Sequence, residues 1–93
     1  MVYVDDFKAS FGRLVLSHMY ADTKEELLQM ADQVGVARKW IQNEDTPREH
    51  FDICQAKRAK AIALGAVVIS RREMVMLRKK KEALVTDSHF NQP

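Results

Sequence analysis

The sequence predicts an α/β domain built on a small mixed sheet of three to four strands with three helices, and three kinds of observation carry that prediction. Short β-favouring or wholly apolar runs stand at residues 2–4, 14–20 and 66–69. Pairs with the spacing of a helix capping box stand at Thr23 and Glu26, at Asp52 and Gln55, and at Ser70 and Glu73. Gly35 and Gly65 stand where two of the helices would have to stop, since glycine takes a positive φ at little steric cost. Strands and helices in this order favour parallel pairs joined by right-handed crossovers.

Val2, Tyr3 and Val4 form a first strand, ended by the acidic pair Asp5 and Asp6. Residues 7–12 read as a loop. Residues 14–20 place Leu14, Leu16, His18 and Tyr20 on one face and Val15, Ser17 and Met19 on the other, both largely apolar, which suits a strand covered on both sides. The link from Phe7 to Arg13 is shorter than the dozen or so residues a crossover needs, so the first two strands are a hairpin or are not neighbours. Thr23 and Glu26 then open a helix whose Leu27, Met30, Ala31 and Val34 recur at helical spacing before Gly35.

Residues 36–42, with Trp40 and Ile41 as their large apolar content, read as a short third strand or an extended crossing segment. Residues 43–49, with three acids, Pro47 and no periodicity, read as an exposed loop. Asp52 and Gln55 open a second helix with a small-residue stripe of Ala56, Ala59, Ile62 and Ala63, stopped by Gly65. Residues 66–69 are wholly apolar, the pattern of a strand buried on both faces. Ser70 and Glu73 open the last helix, whose inner face holds Met74, Leu77 and Leu84 and whose outer face is basic. Residues 1–86 are expected to form one domain and residues 87–93 a frayed, polar tail.

Composition agrees with one core: 93 residues, 46% apolar and 30% charged, far from the regime of disorder. The lone Cys54 excludes an internal disulfide and a Cys-based zinc site, and points to a reducing, cytoplasmic setting. The first residues lack the basic and long apolar segments of a secretory signal, and no apolar run nears the roughly 20 residues of a membrane span. A net charge of +2 is too small to imply nucleic acid by itself. Arg78, Lys79, Lys80 and Lys81 are a local exception that could contact phosphates, although a solvated helix face is the favoured reading.

In open α/β sheets ligands bind beyond the carboxyl ends of the parallel strands, where helix N-termini present free amides. That rule selects His18, Asp22 and Glu26, then His50 and Asp52, then Ser70 and Arg71. Histidine and carboxylate together suit either a divalent metal or a general base. The plainer reading of Thr23, Glu26, Asp52, Gln55, Ser70 and Glu73 is capping, worth about 1 kcal/mol each, and His18 on its apolar strand is equally well a satisfied core residue. His50, in a polar stretch, is the better candidate. No His-Glu-x-x-His motif and no glycine-rich phosphate loop is present.

Read together, Tyr3-Val4-Asp5, Ser17-His18-Met19 with Ala21-Asp22, Glu26-Leu27, Arg38 with Trp40 and Gln42, His50-Phe51-Asp52-Ile53, and Gly65-Ala66-Val67 with Ser70-Arg71-Arg72-Glu73 resemble the bacterial and phage family known as domain of unknown function 4031. The resemblance runs from about Val2 to Leu77. It implies that Asp5, His18, Asp22, Arg38, His50 and Asp52 occupy motif positions, and it suggests a phage accessory or host-interaction setting. Phe51 departs from the family's usual Tyr, and Leu28 stands where a His is common.

Three functions follow as expectations. The first is binding of a phosphate-bearing ligand, a nucleotide or nucleic-acid end, by Asp5, His18, Asp22, Arg38, His50, Asp52 and Arg71 at the strand C-terminal edge. The second is a divalent-metal-dependent phosphodiester hydrolase, with His18, Asp22 and His50 as metal ligands and His50, Asp52 or His18 as catalytic groups. The third is a protein that acts by contacting a host protein through the basic last helix or the loop at residues 43–49.

Overall fold

The strands divide their side chains by simple alternation, and that alternation decides which helices cover which face. The computed structural model describes residues 1–90. Its strands are β1 (Val2–Asp5), β2 (Ala9–Phe11), β3 (Leu14–Ala21), β4 (Phe51–Cys54) and β5 (Val67–Ile69), and its helices are α1 (Lys24–Val34), α2 (Gln55–Ala63) and α3 (Arg71–Phe90). Val2, Val4, Met19, Ala21, Phe51 and Ile53 point to one face, where they pack with Leu27, Met30, Ala31 and Val34 of α1 and Ala61 of α2 in the main core. Tyr3, Tyr20 and Ile69 point to the other face and meet Met74 and Leu77 of α3.

The sheet is mixed, as the sequence predicts, with five strands where three to four were expected. β1 and β3 are antiparallel, with Val2 opposite Ala21 and Val4 opposite Met19. The first two long strands are therefore a hairpin, the alternative that the short link allowed. The additional strand is β2, in the segment expected to be a loop: Ala9 pairs with Leu16 and Phe11 with Leu14. Gly12, at φ 61°, begins the two-residue turn that joins them, the position at which such hairpins favour glycine. β1 and β2 thus lie along one edge of β3 as a single strand interrupted at residues 6–8. β4 pairs with the other edge of β3, and β5 runs parallel to β1.

α1 matches its prediction closely. The Thr23 hydroxyl accepts the Glu26 amide, and Gly35, at φ 85°, closes the helix with Val36 N–H donating to the Ala31 carbonyl at 2.8 Å. The capping box of α3 is also present, with the Glu73 amide on the Ser70 hydroxyl and the Ser70 amide on the Glu73 carboxylate, both 3.1 Å.

Several expectations are corrected. Asp52 caps no helix: it lies in β4, Cys54 is the N-cap of α2, and Gln55 turns its amide to Ser17 Oγ. The His50, Asp52 and Phe51, Ile53 alternation, paired to β3, outweighs a four-residue capping pattern. Residues 36–42 form a single 3-10 turn, Arg38–Trp40, and only Gln42 pairs, with His50, to close the loop at its base. In α2 the buried alanine is Ala61, while Ala56, Ala59 and Ala63 are exposed. β5 is an edge strand, so Val67 and Val68 are partly open to solvent, and Leu84 of α3 is 61% exposed. The expected tail begins inside α3, which runs to Phe90, and residues 91–93 lie outside the described residues.

Candidate functional site

The α3 side of the sheet carries the polar residues that alternation kept out of the main core. His18 on β3 stands directly opposite Asp52 on β4, and His50, two residues before Asp52, shares its face. The interruption after β1 turns Asp5 onto His18: one Asp5 oxygen accepts the His18 backbone N–H at 2.9 Å and the other meets the ring Nδ1 at 2.7 Å. The interruption is itself tied down. Ser17 Oγ donates to the Phe7 carbonyl at 2.6 Å and Arg58 Nε donates to the Asp5 carbonyl at 2.9 Å. Phe7 then lies parallel to the His18 ring, centroids 5.3 Å apart, with the Arg71 guanidinium 4.8 Å from the Phe7 centroid. His50 stacks on Tyr20 at 5.1 Å and meets His18 edge-on at 5.3 Å.

These contacts fix where the protons are. A carbonyl oxygen can only accept, so His50 Nδ1, 2.6 Å from the Arg48 carbonyl, carries a proton, and in the neutral ring the lone pair is on Nε2. The Asp5 carboxylate likewise holds the His18 proton on Nδ1. Asp52 Oδ2 accepts from Gln42 Nε2 at 2.6 Å, which aims Oδ1 at the two imidazoles. Oδ1 lies 3.6 Å from His18 Nε2 and 3.4 Å from His50 Nε2, beyond a normal hydrogen bond, and is buried without a partner. One ligand atom from each of His18, His50 and Asp52 falls within a 4.8 Å span.

A small cleft of about 160 Å³ opens over the histidines, walled by Tyr20, Arg71, Met74 and Arg78. The arginine ion pairs among the described residues are Arg38 with Asp32 and Arg48 with Glu82, and Arg71 and Arg78 bring two guanidinium groups to a cleft that the Asp5 carboxylate also lines. The hydrogen bond to Asp5 raises the His18 pKa above its ordinary value, against the opposing effect of burial. Burial raises the Tyr20 pKa, with Arg78 working the other way, so the phenol stays protonated.

The structure therefore brings together Asp5, His18, His50, Asp52 and Arg71 of the expected set. Asp22 and Arg38 stand apart. The Asp22 carboxylate accepts the Tyr3 hydroxyl at 3.1 Å, pairs with the N-terminal amine and lines a different cleft. Arg38 forms a two-bond ion pair with Asp32 on the surface. Tyr20 and Phe7 join the site without having been singled out, and Gln42 and Arg78 join it although neither was among the expected site residues. Tyr20 shares the His18 alternation, and Arg78 follows Met74 by four residues, one helical turn, so both were open to a stricter reading of periodicity. Phe51 is fully buried on the opposite face, so its missing hydroxyl leaves this cluster unchanged, and Leu28 packs against the main core.

The family model described as protein of unknown function (DUF4031) matches residues 2–81. No curated protein and no solved structure matches the chain.

Proposed function

The chain belongs to the DUF4031 family, and from that premise we propose that it is a divalent-metal protein whose ion is held by His18, His50 and Asp52 and whose ligand carries a phosphate. The observation that carries this reading is the buried, unpartnered Asp52 Oδ1 facing two imidazole lone pairs. With both rings neutral, Oδ1 and the two Nε2 atoms are three acceptors with no donor among them, and a cation relieves all three at once. Two ligands about 2.0–2.1 Å from a shared ion at a tetrahedral angle sit roughly 3.4 Å apart, close to the 3.4 and 3.6 Å measured between Oδ1 and the Nε2 atoms. Each ligand is also held from behind, by Asp5, by the Arg48 carbonyl and by Gln42, the outer contacts that orient metal ligands. Two imidazoles and a carboxylate suit zinc, iron(II) or manganese(II).

Arg71 and Arg78 beside that centre supply the charge a phosphate needs. A second reading, hydrolysis of a phosphoester, is favoured by the ligand count: three protein ligands leave coordination positions open, as in catalytic centres. Water oxygen would bond to phosphorus as the bond to the leaving alkoxide breaks, the water proton passing to the leaving oxygen. Tyr20, which lines the cleft, would supply that proton first and recover it from the water.

The test is metal stoichiometry by native mass spectrometry after exposure to zinc or manganese. One ion per chain in the wild type, lost in His50→Ala and Asp52→Asn, is the expected result; wild-type stoichiometry in both variants rules the centre out. Turnover of bis(p-nitrophenyl) phosphate by the loaded wild type separates hydrolysis from binding alone.

A further inference from the structure

We propose that the phosphate-bearing ligand is a nucleotide whose base stacks on Trp40; the proposal rests on the metal-centre reading above. The cleft over the histidines, about 160 Å³, is well below the 300–1,000 Å³ of sites that enclose whole organic ligands. It has room for the phosphate end of one. A second cleft of about 320 Å³ is lined by Leu16, Trp40, Gln42 and Asp52, the last of which turns its carboxylate to the two histidines. The cross-strand pair of His18 and Asp52 links the two clefts, His18 lining the first and Asp52 the second: Leu16 precedes His18 by two residues on the same strand face, and Gln42 holds Asp52 by its side chain. A ligand anchored at the metal therefore extends over Gln42 and Trp40.

The chemistry of that second cleft selects a base. Trp40 is 64% exposed, the most exposed large apolar residue among those whose burial is described, and it sits on a short 3-10 turn that buries no residue. Leu16 gives the floor an apolar surface. Gln42 spends one amide hydrogen on Asp52 Oδ2, which leaves its carbonyl oxygen and second amide hydrogen to meet the donor and acceptor edge of a base. Lys39 Nζ, 5.2 Å from the Trp40 ring centroid, adds a cation near a phosphorylated ligand. An aromatic platform, an amide and flanking cations form the usual arrangement for an unpaired base.

Trp40 is the sole tryptophan, so its fluorescence reports the subsite directly. Zinc- or manganese-loaded protein is titrated with adenosine 5′-monophosphate, ribose 5-phosphate and inorganic phosphate, with ion stoichiometry measured on the same samples. The nucleotide is expected to quench Trp40 and to bind about 5- to 150-fold more tightly than ribose 5-phosphate, the range set by stacking. Trp40→Ala is expected to bring the two ligands to equal affinity with the ion retained, and Trp40→Phe to restore most of the difference. Equal binding of nucleotide and sugar phosphate by loaded wild type overturns the base subsite and leaves the metal centre standing. Failure to retain an ion overturns the centre and this proposal together. A 5′-phosphorylated dinucleotide distinguishes the sources: binding at least as tight as the mononucleotide assigns the site to a strand end, and exclusion assigns it to a free nucleotide.

Discussion

Asp52 carries the cost of the site within a single carboxylate. One oxygen is satisfied by Gln42, and the other is buried against two histidine lone pairs. Leaving a buried acceptor unsatisfied costs about 1–3 kcal/mol, so Asp52→Asn, which offers an amide N–H to either imidazole, should raise the metal-free melting temperature while abolishing ion binding. A gain of about 1 kcal/mol corresponds to about 4–8 °C in a domain of this size, read by calorimetry in chelator; a lower melting temperature than the wild type would show that Oδ1 is not a strained group. Asp5→Asn acts one shell further out. Its amide donates to His18 Nδ1 and moves the ring proton to Nε2, into the cluster, so ion affinity should fall about 10- to 100-fold, measured by competition with a colorimetric chelator. An unchanged affinity would remove Asp5 from the orienting role. At this scale His18, His50 and Asp52 were visible in the sequence as candidates, because residue type is enough to nominate a ligand. Asp22, nominated by the same reasoning, and Arg38, nominated by the family resemblance, lie elsewhere, because neither type nor spacing reports which strands will pair.

At the level of elements, the largest misreading was β4. Residues 52–55 carry the Asp-x-x-Gln pattern of a cap, and local pattern alone cannot weigh it against the pairing of Phe51 and Ile53 with Met19 and Ser17 across the sheet. The alternation was present, but four residues of it are a weak signal beside long-range hydrogen bonds that only the fold supplies. By contrast α1 was legible from cap to cap, since everything that specifies it is local: Thr23, the Leu27 stripe and Gly35. The run from Arg78 to Lys81 was read as one solvated face, yet helical spacing divides it. Arg78 turns to the cleft and Lys81 reaches the Ala21 carbonyl, while Lys79 and Lys80 are exposed. The two surviving caps allow a contrast. Thr23→Ala and Ser70→Ala should each cost about 1 kcal/mol of stability, but α3 carries Arg71 and Arg78 and α1 carries no site residue. Ser70→Ala should therefore also weaken phosphate binding, and Thr23→Ala should leave it unchanged, measured by phosphate titration of the loaded protein. Equal effects from both would mean that α3 does not set the anion-binding wall.

For the whole molecule, the cluster sits on the sheet face that α3 covers only in part. α1 and α2 enclose one sheet face, and α3 alone covers part of the other, so β3 and β4 meet over the site with side-chain packing from Tyr20, Phe7 and Met74 instead of a continuous core. An ion bound to His18 on β3 and to His50 and Asp52 beside and on β4 would cross-link two strands far apart in sequence, joining the opening hairpin to the later part of the chain. Binding to the folded state alone stabilises by mass action, about 2.7 kcal/mol at 100 times the dissociation constant, which for this size amounts to a rise of about 10–20 °C in melting temperature. Zinc or manganese should produce that rise in the wild type, and excess chelator should reverse it. Asp52→Asn should show none, although its metal-free melting temperature is the higher of the two. Because both imidazoles must be neutral to bind, the metal-induced rise should shrink as the pH is lowered. Melting curves recorded with and without ion across that pH range decide the matter: a rise of equal size in the wild type and Asp52→Asn would place any bound ion away from this cluster, and the loss of the rise in Asp52→Asn alone would tie the ion to the strand pair that the sequence pattern least clearly foretold.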